Sequence, residues 1–163
     1  MPGLAAGLRA TVRAVVTGGD TAEAMGSGNL PVLATPRLLA LAEAATVAAV
    51  APQLADGLTT VGTAVSLEHR KASPLGAEIV VEAELTEVDG RRLVFGFIAR
   101  PAHTDADAAD ADGTDADDTD ADSGDADVVV GAGTVERVVV DGARFLARAQ
   151  APSPPQTGPL QGG

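Results

Sequence analysis

Three side chains in this sequence have the chemistry for acid–base or nucleophilic work: Glu43, His69 and Thr35. Between residues 36 and 55 only Arg37 and Glu43 are charged, and Glu43 has apolar Leu39 and Val47 four residues to either side on its own helical face. A carboxylate in such surroundings loses hydration, which costs energy and raises its pKa unless a partner or a function compensates. Two readings stay equally open: the carboxylate has a function, or it is structural, this face opening to solvent or Glu43 pairing with an arginine across a dimer. His69 closes a strand-like segment, 61–69, and shares parity with Val61, Thr63, Val65 and Leu67 rather than with Gly62, Ser66 and Glu68. Its ring is therefore expected to point with the apolar set. A single histidine there is more often a satisfied core residue than a catalyst, but beside a carboxylate it becomes a general base. His103 begins an acidic segment and reads as solvated.

Thr35-Pro36 reads as a helix start, with Thr35 as N-cap and Pro36 in the first helical position. A capping hydroxyl can also serve as nucleophile or hydrogen-bonding group. The start of the same helix offers unpaired N–H groups and a positive dipole end, suited to polarising a carbonyl. Pro36 has no N–H, so the expected donors are the amides of Arg37 and Leu38. On the last predicted strand, Gly131 and Gly133 permit close approach of a ligand or of a second backbone, or mark a bulge. Arg137, on that strand, can pair with Glu43 or meet a phosphate.

These groups need elements to carry them. Residues 8–16 alternate apolar with polar, the period of a half-buried strand. Gly18, Gly19, Asp20, Gly26, Ser27, Gly28 and Asn29 mark a loop, with room for a helical turn at 21–25. The helix from 36 to about 54 is expected to stop near Asp56-Gly57. It is apolar nearly all round, so burial on most sides is expected. Strands follow at 61–69, 77–88, 91–100 and 128–140, with Asp89-Gly90 as a hairpin signal. A strand, a long apolar helix and four strands able to pair antiparallel give an α+β fold, a sheet curled around one buried helix. That is the hot-dog arrangement.

With 163 residues the chain is one domain, residues 1–150, plus appendages. It has no Cys, so thiolate metal sites, disulfides and a catalytic cysteine are excluded, and no metal or other cofactor is expected. Arg9 and Arg13 interrupt the apolar N-terminal stretch, which argues against an export signal and for a cytoplasmic protein. The longest apolar run, 38–50, is broken by Glu43 and too short for a membrane span. Of the net charge of −12, 11 units come from Asp in residues 104–127; without them the net charge is −1. The acidity thus belongs to one insert, and with almost no aromatic residues or basic stripe, nucleic-acid binding is excluded. The Asp-Ala repeats of the insert cannot bury enough apolar surface to order it, so it is expected to be a disordered loop. Asp118, Asp120 and Asp122 have calcium-loop spacing, but Ser123 and Val129 stand where Gly and a bidentate Glu are needed. The Pro- and Gly-rich tail, 151–163, is also expected to be unstructured.

The segments VLATPRLLALAEAATVAAVAPQL, VGTAVSLEH, EVDGRRL and GAGTVERVVVDGARF resemble the fluoroacetyl-CoA thioesterase family over roughly residues 30–148, the insert aside. The resemblance implies a hot-dog homodimer that hydrolyses acyl-CoA thioesters through a Thr, a Glu and a His, here Thr35, Glu43 and His69, with Arg137 matching an arginine of the last strand. Pro36 stands where the fluoroacetyl enzyme has Gly, and Ser73 replaces a second His. The segment before the helix is shorter and lacks the aromatics that close the fluoroacetyl pocket. Fluoroacetate specificity is therefore not expected. Two other readings remain: a noncatalytic hot-dog module that binds acyl-CoA or acts as a scaffold, and a hydratase acting on an enoyl thioester.

Overall fold

The computed structural model describes residues 3–102 and 128–151. Five antiparallel strands form a single sheet: β1 (Arg9–Val15), β2 (Leu58–His69), β3 (Glu78–Asp89), β4 (Arg92–Pro101) and β5 (Gly131–Asp141), in the spatial order β1-β3-β4-β5-β2. The main helix, α1 (Thr35–Val50), lies on one face, and a second helix, α2 (Gly142–Gln150), follows β5 directly. The hot-dog arrangement read from the element order is the one observed. The expected disorder of the insert and the tail, the calcium-like aspartates and His103 lie outside the described residues.

Period-2 patterning decides which face of each strand meets the helix. Ile79, Val81, Ala83 and Leu85 of β3 and Leu93, Phe95, Phe97 and Ala99 of β4 are buried, with Glu82 and Arg100 pointing away. Leu38, Leu41, Ala42, Ala45 and Leu33 pack on Ile79, Val81, Ala83 and Phe97 to form one core cluster; Ala49, Val50, Leu85, Phe95 and Val139 form the other. Gly90 takes a left-handed φ of 57° where β3 turns into β4. Because Asp89 pairs with Arg92, the turn consists of Gly90 and Arg91.

The structure refines three sequence expectations. The helix is buried on most sides but leaves one exposed apolar stripe of Ala40, Ala44, Val47 and Ala48, with Val47 39% exposed. The helical turn at 21–25 is present, closed by a Met25 N to Thr21 O bond of 3.0 Å, and a short 3₁₀ turn at Gly18–Asp20 that the sequence did not indicate precedes it. No signal led to α2, whose mixed sequence GARFLARAQ is fixed at its start by the Asp141 side chain, which accepts from the Arg144 amide. Gly57, with φ of 80°, does sit just beyond the expected end of the main helix.

Candidate active site

The N-terminus of α1 and the C-terminal end of β2 meet, and Thr35 and His69 meet with them. Thr35 Oγ1 lies 2.9 Å from His69 Nδ1, a hydrogen bond between the first residue of the helix and the last of the strand. Thr35 is therefore not the N-cap: Ala34 is, and no side chain caps the helix there. The hydroxyl expected to satisfy the backbone is instead turned toward the imidazole. The amides of Arg37 and Leu38 also differ from expectation, since both donate to the Ala34 carbonyl at 3.0 Å. Among the described residues, the helix-start N–H left without an acceptor is that of Thr35 itself.

A cavity of about 270 Å³ opens beside this pair, lined by Thr35 and His69, by Ala22, Ser27, Val32 and Leu33 of the segment before the helix, and by Arg70, Lys71 and Ala72. Backbone bridges hold that segment in place, Thr21 to Leu33 and Val32 to Pro74, and the Ala34 amide donates to Asp20 O at 2.9 Å. Arg37 Nε lies 2.6 Å from Asp20 Oδ1, so its side chain ties the 3₁₀ turn to the helix. Hydrogen bonds from Thr17, with Arg37 adding to them, lower the Asp20 pKa. The cations at the cavity, Arg70 and Lys71, escaped the sequence analysis because nothing placed the chain after His69 at the helix start.

Burial lowers the pKa of His69, opposed by a weaker backbone contact at Lys71. The ring is thus neutral near pH 7 and able to accept a proton. Nδ1 faces the Thr35 hydroxyl, while Nε2 is buried with no hydrogen-bond partner among the described residues. A buried ring nitrogen without a partner is costly.

Glu43 is elsewhere in the chain. It lies eight residues along α1 from Thr35, about 12 Å along the helix axis. Its Oε1 is 3.2 Å from Arg137 Nη1, and its side chain is 38% exposed, so this face meets solvent in part and the arginine partner comes from the same chain rather than from across a dimer. Arg137 is 6% exposed and donates through Nε to Thr60 Oγ1 at 2.9 Å and through Nη2 to Thr60 O at 3.0 Å. Burial lowers its pKa and the Glu43 carboxylate raises it in opposition. Of the two roles open to Arg137, the structure shows the pairing with Glu43. The carboxylate lies so close to Gly62 that a Cβ there would collide with Oε1. Gly62 and Thr60 were missed because a bulge at Thr63 shifts the β2–β5 register between Gly62 and Ala64. Thr60 and Gly62 therefore face the helix before the bulge, and Leu67 and His69 after it, so Val61 and Thr63 do not share His69's face as simple alternation predicted.

Gly131 and Gly133 serve backbone packing. A Cβ at Gly131 would come within 2.8 Å of Leu38 Cδ2 and 2.9 Å of Glu68 O, and one at Gly133 would run into Ser66 O. The second backbone expected near them is that of β2. Gly131 pairs with His69, so the close approach of β5 helps to set the end of β2 that carries the imidazole.

Comparison with known proteins agrees with this architecture. The family model for fluoroacetyl-CoA-specific thioesterase matches residues 16–108. Fluoroacetyl-CoA thioesterase of Streptantibioticus cattleyicolor is 33% identical over 123 residues, 76% of this chain and 71% of the relative. A variant of fluoroacetyl-CoA thioesterase solved in complex with acetyl-CoA superposes with a TM-score of 0.72 at 28% identity, covering 93% of this chain and all of the other (100%). A thioesterase superfamily member of Thermus thermophilus shares the fold at 21% identity, with a TM-score of 0.71 over 92% of this chain and 93% of its own. The chain belongs to the fluoroacetyl-CoA-specific thioesterase family, and is a thioester hydrolase built on the hot-dog fold.

Proposed function

We propose that the protein hydrolyses a small acyl-CoA thioester to the free acid and CoA as a cytoplasmic homodimer, with Thr35 and His69 acting on the carbonyl and Glu43 completing the site. The hydrogen bond between Thr35 Oγ1 and His69 Nδ1 carries this reading. The neutral imidazole takes the hydroxyl proton as Thr35 Oγ1 attacks the thioester carbon. As the C–S bond breaks, the imidazolium returns that proton to the departing CoA thiolate. Water, deprotonated by the same ring, then cleaves the acyl ester and regenerates the hydroxyl. The Thr35 amide, at the positive end of α1, donates to the oxygen that becomes negative.

The dimer is supported by what the single chain leaves uncovered. The edge strand β1 carries Arg9 and Arg13, each paired with glutamates of β3. The opposite edge, β2, is uncharged and exposed from Gly62 to Ser66, with Val65 42% exposed beside the apolar stripe of α1. Two copies joined antiparallel along β2, centred on Ala64, would bury both surfaces. Gly62 of each copy, with Glu43 packed on it, would then lie opposite Ser66 of the other, three residues from His69. Each Glu43 would thus serve the Thr35–His69 pair of the neighbouring copy. The cytoplasmic part of the proposal rests on Arg9 and Arg13 interrupting the apolar N-terminal stretch.

The experiment is release of free CoA from a panel of acetyl- to long-chain and aryl-CoA esters by native protein, Thr35→Ala and Glu43→Gln, with the mass of the protein followed during turnover. Turnover lost in both variants, and an acyl adduct on Thr35 in the native chain, support the scheme. Full turnover by Thr35→Ala would transfer the attack to water, and unchanged turnover by Glu43→Gln would remove the carboxylate from the mechanism. Saturable CoA-ester binding without release would make the protein a binding module.

A further inference from the structure

Asp20 grips the start of α1 at two points. Its carbonyl accepts from the Ala34 amide at 2.9 Å, and its Oδ1 lies 2.6 Å from Arg37 Nε. It therefore holds the residue before Thr35 and the residue two after it. The other carboxylate oxygen, Oδ2, accepts from the Thr17 amide at 2.8 Å and from Thr17 Oγ1 at 2.6 Å, which makes Asp20 a fixed post at the end of the 3₁₀ turn. The Asp20 side chain is only 15% exposed, and neither Asp20 nor Arg37 lines the Thr35–His69 cavity. Both act on the site, if at all, through the backbone of Thr35.

This grip stands where a cap would. The N-cap, Ala34, has no side-chain oxygen to offer, so the helix start is fixed from outside instead. Pinning Ala34 and Arg37 restricts the dihedral angles of Thr35 between them, and with them the directions of its free amide and of the hydroxyl 2.9 Å from His69 Nδ1. The charge of the post has to be cancelled, however. Hydrogen bonds from the Thr17 hydroxyl and amide lower the Asp20 pKa, so the group is ionised near neutral pH. A carboxylate within the first turn takes up the positive end of the helix dipole, which an oxyanion at the Thr35 amide also needs. Arg37 supplies the opposite charge. Its buried Nε meets Asp20 as an ion pair without in-line hydrogen-bond geometry, so charge is what it contributes.

We propose that Asp20 and Arg37 are positioning residues for thioester cleavage: Asp20 sets the conformation of Thr35, and Arg37 cancels the charge of Asp20 at the helix start. The amide and the hydroxyl of Thr35 are then aimed together, with the dipole end left for the thioester oxygen. The inference rests on the Thr35–His69 reading and adds to it two residues that lie outside the cavity.

The test compares the full chain with Arg37→Met, Arg37→Lys and the double variant Asp20→Asn/Arg37→Met. Steady-state constants are measured on the ester of the panel that the native protein cleaves best, and urea midpoints identify a variant that has lost its fold. Arg37→Met leaves the carboxylate unpaired at the helix start and should lower kcat about tenfold or more, with KM held within about twofold. Arg37→Lys should keep most of kcat. The double variant retains the Asp20 backbone carbonyl and has no charge to cancel, so it should turn over faster than Arg37→Met although it has lost the ion pair. A purely structural tie predicts the reverse order. The ring ¹⁵N shifts of His69, recorded without substrate, read the contact with Thr35 directly. A hydroxyl donating to Nδ1 fixes the ring proton on Nε2, so native protein and Arg37→Lys should show one tautomer and Arg37→Met a shift toward the average of two. Should Arg37→Met not fold, Arg37→Gln takes its place under the same expectations. Unchanged kcat in Arg37→Met, a change in KM alone, a double variant no faster than the single, or ring shifts alike in all four proteins would overturn the assignment. If the native protein cleaves no ester, the hydrolase reading fails separately, and the ring shifts still decide whether the pair positions Thr35.

Discussion

Replacing Arg137 with Met tests how the Glu43 carboxylate is held. The guanidinium makes three contacts of unequal weight: two to Thr60, which is 7% exposed, and one to Glu43, whose side chain is 38% exposed. Removing the arginine leaves the Thr60 hydroxyl and carbonyl buried without their donors, at about 1–3 kcal/mol each. Methionine refills much of the stem volume. The freed Glu43 carboxylate can take up water, so the ion pair contributes little beyond this. The sum is a loss of about 2–6 kcal/mol, which for a chain of this size lowers Tm by roughly 5–25 °C. Glu43→Gln keeps both Thr60 contacts and a hydrogen-bonding oxygen, so its cost stays below about 1 kcal/mol, even where the proposed scheme expects its turnover to be lost. Equilibrium urea denaturation and thermal melts of the three proteins, at one fixed concentration because a dimer is proposed, give the comparison. If Glu43→Gln costs as much stability as Arg137→Met, the carboxylate and not Thr60 anchors the guanidinium, and the reasoning is wrong.

Other outcomes follow from the same geometry. Gly133→Ala should force β5 away from the Ser66 carbonyl and cost about 2 kcal/mol or more by strain between strands, read as a lower urea midpoint. Val65→Lys should convert the proposed dimer to monomer by light scattering and abolish turnover while secondary structure by circular dichroism is retained. Burial holds the His69 pKa below its ordinary 6.5, so the base form persists into mild acid. The acid limb of kcat/KM should therefore fall below pH 6.5, not at it. For stability the unfolded chain binds the proton more readily, so the His69 contribution is full above the unfolded value and is lost as pH falls from there to the lower folded value. His69→Gln should flatten that part of the stability profile.

The elements carrying the site were legible because their signals are local. Thr35-Pro36 marks a chain that must start a helix, the parity of Leu67 and His69 marks a face, and Gly90 marks a turn. What the sequence hid depends on partners distant along the chain. The bulge at Thr63 is invisible without knowing that β5 lies alongside, and it re-aims Thr60 and Gly62 toward Glu43. Thr35 looks like a cap until His69, 34 residues on, supplies a nitrogen for its hydroxyl. The separation of Glu43 from that pair follows from the eight-residue helical spacing alone, about 12 Å. It could have been worked out from the sequence, yet the expectation that the two titratable groups converge passed over it.

The pairing of Ala99 with Gly131, and the bond from the Val130 amide to Ala99 O at 2.9 Å, tie the ends of β4 and β5 together before the long connection between them begins. The cost of closing a loop grows only with the logarithm of its length, so a connection of roughly 30 residues in place of four adds about 2 kcal/mol. Extra chain at this hairpin is therefore tolerated by the fold almost irrespective of what it contains. Because Gly131 pairs with His69, the point where β5 begins lies next to the site. Sequence can be added at this point of the family fold, and its composition changed, without the strands having to be rebuilt.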